Sequence, residues 1–293
     1  MHKYLSAIGF SCIKKREEYE KLIRLTSAQA SERSYTSIEE DAMLSVFCKE
    51  FAPGIGLAVV GEYDEQNCFS YEYSYPYIRG TGITSTEDLT VERHSDKESY
   101  AGICDDINVG IMLIFYLQNI IPYIRAKNTD CIPVRGTTLT LSALSVNGTV
   151  MMPIMKDERV KAKVNKVKTS RNRLIQAARE GDEEAIESLS LDDMDTYTTL
   201  ATRIKKEDLF TIVDTCFMPY GVECDQYSIV GEIQSVDKVV NIITGEKIWK
   251  LKILCNELTF DLCINEKDLY GEPQVGRRFK GVIWLQGYIN FPN

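Results

Sequence analysis

Histidine is nearly missing from this chain: among 293 residues there are only His2 and His94. Nucleophilic catalysis by a Ser-His-Asp or Cys-His unit needs an imidazole beside the nucleophile. His2 sits at the chain end and His94 lies in the polar stretch "VERHSDKE", so neither is a natural base. No G-x-S-x-G occurs. The glycine-rich stretches "PGIGLAVVGEY" and "RGTGITSTEDL" lack the lysine of a phosphate loop, and the first leads into a strand. The nine cysteines are odd in number and contain no C-x-x-C. That excludes a regular disulfide framework and a standard zinc site, and no metal or cofactor is expected. Long apolar runs are absent too: the longest, around "IMLIFYL", is far too short to span a bilayer. The opening "MHKYLSAIGFSCIKK" has no basic region followed by a sustained apolar core. A soluble protein of a reducing cytoplasm, with no membrane partner, is the expectation.

What is present is an ordinary globular composition, 44% apolar and 26% charged, in a length that suits more than one domain. The formal net charge of −9 disfavours non-specific binding to nucleic acid. "HKYLSAIGF" reads as a short helix stopped at Gly9, and "KKREEYEKLIRLTSAQAS" as a second with Tyr19, Leu22, Ile23 and Thr26 on its apolar stripe. From Ala42 onward, runs such as "MLSVFCKEF", "GIGLAVVGEY", "NCFSYEYSYPYI", "YAGICDD" and "VGIMLIFYLQN" read as strands. In "TTLTLSALSVNGTVMMPI" the pair Asn147-Gly148 predicts a type I′ hairpin turn. After Pro153 the pattern turns helical, including a basic helix from Lys156 to Arg179. The last segment alternates again, with Ile229 and Ile233, then Trp249, Leu251 and Ile253, then Phe260, Leu262 and Ile264 expected inward. The fold class is therefore α+β. Residues 1–155 form a largely antiparallel sheet with helices, 156–218 a helical connector, and 219–293 a small β-barrel of the OB-like kind.

Three sets of residues are candidates for function. Tyr71, Tyr73, Tyr75 and Tyr77 occupy alternate positions of one strand and are expected on one face, where tyrosines stack ligands or cover a core. In the final strand Phe279, Ile283, Leu285 and Ile289 face one way, while Arg278, Lys280, Trp284 and Tyr288 face the other. A tryptophan and a tyrosine beside two cations suit either a stacking platform for bases or a seam under another domain. The seam is the favoured expectation. Asp214, Glu223 and Asp225 are weaker candidates, as carboxylates of an irregular stretch that also holds Cys216 and Cys224.

Whole phrases carry a further signal. "MHKYLSAIGF", "VGIMLIFYLQN", "LIQAAREGDEEAIESL", "EDLFTIVDTCFMPYGVECDQYSIVGEI" and "GRRFKGVIWLQGYINF" resemble a family of uncharacterised intracellular proteins of similar length from gut clostridia, a domain of unknown function. That resemblance implies a bacterial protein and assigns no site residue. The expected function is a non-enzymatic binding or regulatory module, with a protein partner or self-association. One alternative is a nucleic-acid-associated protein using the barrel and the basic helix. A second is a carboxylate-dependent enzyme acting on a carbohydrate or nucleotide.

Overall fold

The computed structural model describes residues 2–39, 42–87, 89–93, 99–106, 111–129, 136–154, 173–178, 181–191, 194 and 214–292. A 3₁₀ turn, Lys3–Ile8, stops at Gly9, whose φ of 85° suits glycine and whose N–H donates to the Ser6 carbonyl. Helix α1, Arg16–Ala28, buries Tyr19, Leu22 and Thr26 as its periodicity predicts. Next comes a four-stranded antiparallel sheet in the order β1–β2–β3–β4, comprising Glu32–Glu39, Ala42–Ala52, Ile55–Tyr63 and Phe69–Ile78. Strands β5 (Leu89–Arg93), β6 (Tyr100–Asp106) and β7 (Ile111–Leu117) form a second antiparallel run, followed by helix α2, Ile120–Asn128.

Five strands close into a barrel: β8 (Thr138–Met151), β10 (Gln226–Val240), β11 (Lys247–Cys255), β12 (Leu258–Asn265) and β14 (Arg278–Asn290). Around the ring the neighbours run β10–β11–β12–β8–β14 and back to β10. Only the β12–β8 contact of this ring is parallel. Short strands β9 (Cys216–Pro219) and β13 (Leu269–Tyr270) flank β10 and β8, and β7 joins β14 through Gln286 and Gly287. The fifth barrel strand thus comes from ahead of residue 155. Of the helical connector, residues 173–178 and 183–191 are helical and most of the rest lies outside the described residues, as do His94 and Cys131. Among the described residues no helix is long and apolar enough to cross a membrane.

Three expectations need correction. Asn147 and Gly148 make no hairpin turn, because β8 runs unbroken through both. A Cβ on Gly148 would lie 2.4 Å from the Phe279 ring, so glycine is required there for close approach and not for positive φ. Trp249 is half-buried at the rim under the Lys238 ammonium, 4.4 Å from its ring centre, while Ile248 takes the fully buried position beneath the N-terminal turn. Cys216–Pro219 is a strand and not the end of a helix. The remaining inward residues, Ile229, Ile233, Leu251, Ile253, Phe260, Leu262 and Ile264, are all fully buried.

Two contacts lock the layers. Phe115 on β7 lies across two glycines of its neighbouring strands, since a Cβ on Gly102 or Gly287 would meet its ring at 2.1 or 2.3 Å. Glu246, in the turn between β10 and β11, ties the N-terminal turn to the barrel. It accepts from the Ser11 amide and hydroxyl at 3.1 and 2.5 Å, from Asn265 at 2.7 Å and from Lys267 at 2.8 Å. Burial pushes this carboxyl up, but the donors together outweigh it and hold it below the ordinary carboxylate range.

Gly287→Ala is expected to destabilise by about 1–3 kcal/mol through overpacking, and Phe115→Leu in the same chain to recover part of that loss. Urea unfolding of the singles and the double checks it, and a neutral Gly287→Ala would contradict the packing. The lowered Glu246 carboxyl contributes stability that is present above its unfolded pKa and is lost as pH falls through the depressed folded value. Glu246→Gln should therefore cost most near neutral pH and progressively less toward about pH 3, as read by denaturant midpoints. A deficit that does not change with pH would contradict it.

Candidate functional site

The tyrosine row does not share a face. A bulge at Glu72, where Val60 pairs with Tyr73 and Gly61 with Tyr71, inverts the alternation. Tyr71 therefore points to the α1 side, 44% exposed, and its hydroxyl shares Ser74 with Tyr19 at 2.9 and 2.7 Å. Tyr73, Tyr75 and Tyr77 lie on the opposite face. Tyr75 and Tyr77 are buried, and with Tyr288 they line a cavity of about 60 Å³ against the start of α2. The Tyr77 hydroxyl is buried and has no hydrogen-bond partner among the described residues.

The outer side of β14 is covered. Trp284 is 5% exposed, stacked on Tyr4 at 5.5 Å and packed against Tyr116 at 5.2 Å and His2 at 4.7 Å. Tyr116 in turn meets Tyr75 at 4.7 Å, so both aromatic clusters seen in the sequence join in one run of rings. Arg278 is buried at the barrel end and donates to the Met152 carbonyl at 3.0 Å. Lys280 is half-buried between β8 and β10. The acids separate: Asp214 acts electrostatically on Arg278, whereas Glu223 and Asp225 border a cavity beside Trp284. Asp225 accepts the Trp284 indole N–H at 2.6 Å.

A larger concave site lies elsewhere, between α1 and the β1–β4 sheet. α1 packs on β2 and β3 and leaves a groove of about 970 Å³ beside it. Its floor is aromatic: Phe47 meets Phe69 at 5.2 Å, Phe69 meets Tyr63 at 5.3 Å, and Tyr71 stands at the edge. Four cations, Lys14, Arg16, Arg24 and Arg33, border it against the single carboxylate Glu20. Arg16 pairs with Glu20 at 3.0 Å, both in solvent, where such a pair contributes little. Arg33 lies over the Phe47 ring at 5.8 Å and donates to the Ala28 carbonyl at 3.3 Å. Burial pushes the Tyr19 phenol up to about 12, which keeps it protonated. The groove thus offers area and positive charge but no poised base or nucleophile. The cations were missed in the sequence because they come from a loop, a helix and a strand, with no local run to mark them.

Other chemistry is sparse. The eight cysteines among the described residues form no disulfide with one another, and burial raises the Cys48 and Cys255 thiols to about 12, which makes them poor nucleophiles. Among the described residues no three His, Cys, Asp or Glu side chains gather to hold a metal.

Residues 5–287 match the family model described as a domain of unknown function, E. rectale gene description (DUF3881). The match spans nearly the whole chain, and the chain belongs to that family. No curated protein and no solved structure matches it.

Proposed function

We propose that this chain is a non-enzymatic binding module of the bacterial cytoplasm whose ligand sits in the α1 groove. The ligand is a small molecule that joins a planar ring to negative charge, such as a nucleotide or an aromatic acid. The observation that carries this is the pairing of an aromatic floor with four bordering cations in a chain of net charge −9. Rings supply most of the affinity through burial and stacking, and the exposed cations select charge and speed encounter. A groove of this volume is within the range of small-molecule sites. The absence of a disulfide among the described cysteines supports the reducing compartment.

The barrel we read as OB-like with a permuted chain order. In an OB barrel the strands run 1-2-3-5-4 around the ring and the parallel contact is 3–5. Taking β10, β11, β12, β14 and β8 as strands 1 to 5 reproduces both the ring order and the parallel contact. The N-terminal turn packs on β12 and β8, so this side of the barrel works as a scaffold and not as an open face for single strands.

The test is thermal shift against adenosine 5′-monophosphate, adenosine and a panel of aromatic carboxylates. An anionic ring compound should raise the midpoint, its uncharged analogue should bind at least about tenfold more weakly, and Arg24→Glu should remove the difference. A panel without any response, or one indifferent to charge and to Arg24→Glu, would overturn the reading.

A further inference from the structure

The turn between β10 and β11, "NIITG" from Asn241 to Gly245, carries two isoleucines where polar residues usually stand. Its shape does not depend on them. Asn241 is fully buried; its side chain donates to the Ile8 carbonyl at 2.8 Å and accepts from the Ile243 and Thr244 amides at 2.9 and 3.1 Å. The Thr244 hydroxyl donates to the Gly9 carbonyl at 2.6 Å, the Ile242 amide donates to the Phe51 carbonyl at 2.8 Å, and Gly245 takes the positive φ of 70°. The turn is thus fastened to the N-terminal turn and to β2, yet Ile242 remains 73% exposed and Ile243 49%. A rigid turn that holds an apolar side chain in water loses little further freedom when that side chain is covered.

Beside the turn lies an apolar hole. A groove of about 340 Å³ is lined by Phe10, Ile13, Leu22, Leu25 and Ile243, so the exposed knob and the hole share one face of the molecule. Two exposed charges of opposite sign on α1, Glu18 and Lys21, complete its lining. Glu18 accepts from the Lys14 and Lys15 amides at 3.1 and 3.2 Å, and both bonds end on Oε2. A face that holds knob and hole, acid and base, side by side is complementary to a second copy of itself turned about a two-fold axis.

We propose that this face is the interface of a two-fold symmetric dimer, in which Ile242 of each copy enters the groove of the other and Glu18 of each meets Lys21 of the other. Burial of the isoleucines supplies the affinity, and the exposed charges fix the orientation more than they add strength. The ligand groove uses the opposite flank of α1, through Arg16, Tyr19, Ile23 and Arg24, so the dimer leaves it open and does not depend on it.

Sedimentation velocity of the full chain over about 1–100 µM tests it, with two chains expected as the limiting species. Ile242→Glu changes an exposed side chain and keeps every hydrogen bond of the turn, and it should weaken association at least about tenfold. Lys21→Glu and Glu18→Lys should each weaken it alone by setting like charges together. Mixed, the two variants restore both opposite-charge contacts and should associate more tightly than either does by itself. If Glu18→Lys is poorly folded through loss of its capping bonds, Lys21→Glu compared with Lys21→Met reads the same charge. A single chain across the whole range, growth beyond two chains, an Ile242→Glu variant that associates like the parent, or a mixture no tighter than its parts would each overturn the proposal.

Discussion

Strand β8 is paired along both edges, in parallel with β12 through Ser142 to Ser145 and antiparallel with β14 from Thr138 to Met151. Without it the other four barrel strands would expose an open edge on β12 and another on β14, the arrangement that invites slippage and aggregation. Closure is therefore a long-range event, because β8 and β12 are more than a hundred positions apart in the chain. It also fixes where the N-terminal half must sit. β7 continues from β14, α2 follows β7 and packs on β1 and β2, and β4 lies against β8 and β12, so the seam inherits its position from the closed ring.

Polar groups hold that seam in register. The Gln118 side-chain amide donates to the Ile78 carbonyl at 3.0 Å, to Ser142 at 3.2 Å and to Gln286 at 2.8 Å. Gln286, fully buried, donates onward to the Pro76 carbonyl at 2.8 Å. Asn119 exchanges two bonds with the backbone of Ile289 at 2.8 and 3.0 Å, which explains why it does not cap α2 with its side chain. Buried amides of this kind are costly when unpaired and specify one arrangement when all are paired. The aromatic run from Tyr75 through Tyr116 to Trp284 supplies the apolar area between these bonds.

Much of the fold was legible because alternation and capping are local signals. The strands at β2, β3, β4, β6 and β7, the stop at Gly9, and the fully buried rows of β10, β12 and β14 all follow from period-two patterning or glycine. Features that depend on distant partners were not. The bulge at Glu72 divides a row of tyrosines that reads as regular. Gly148 looks like a turn residue until Phe279 is placed over it. β1, "ERSYTSIE", has too little apolar alternation to announce a strand and forms because β2 offers it an edge. Trp284 and the tyrosines were identifiable as unusual, but only the fold shows that they touch each other. The basic groove had no sequence signature at all, since Lys14, Arg24 and Arg33 gather only after α1 lies on the sheet.

The closed ring is the claim on which the rest stands, and amide hydrogen exchange of β8 against β10, β12 and β14 tests it most directly. The account predicts that Leu141 to Ser145 exchange with the slowest group of the chain, in step with the amides of Phe260 to Ile264. Rapid exchange of β8 while β10 to β14 stay protected would mean that the barrel holds without it, and would contradict the closure.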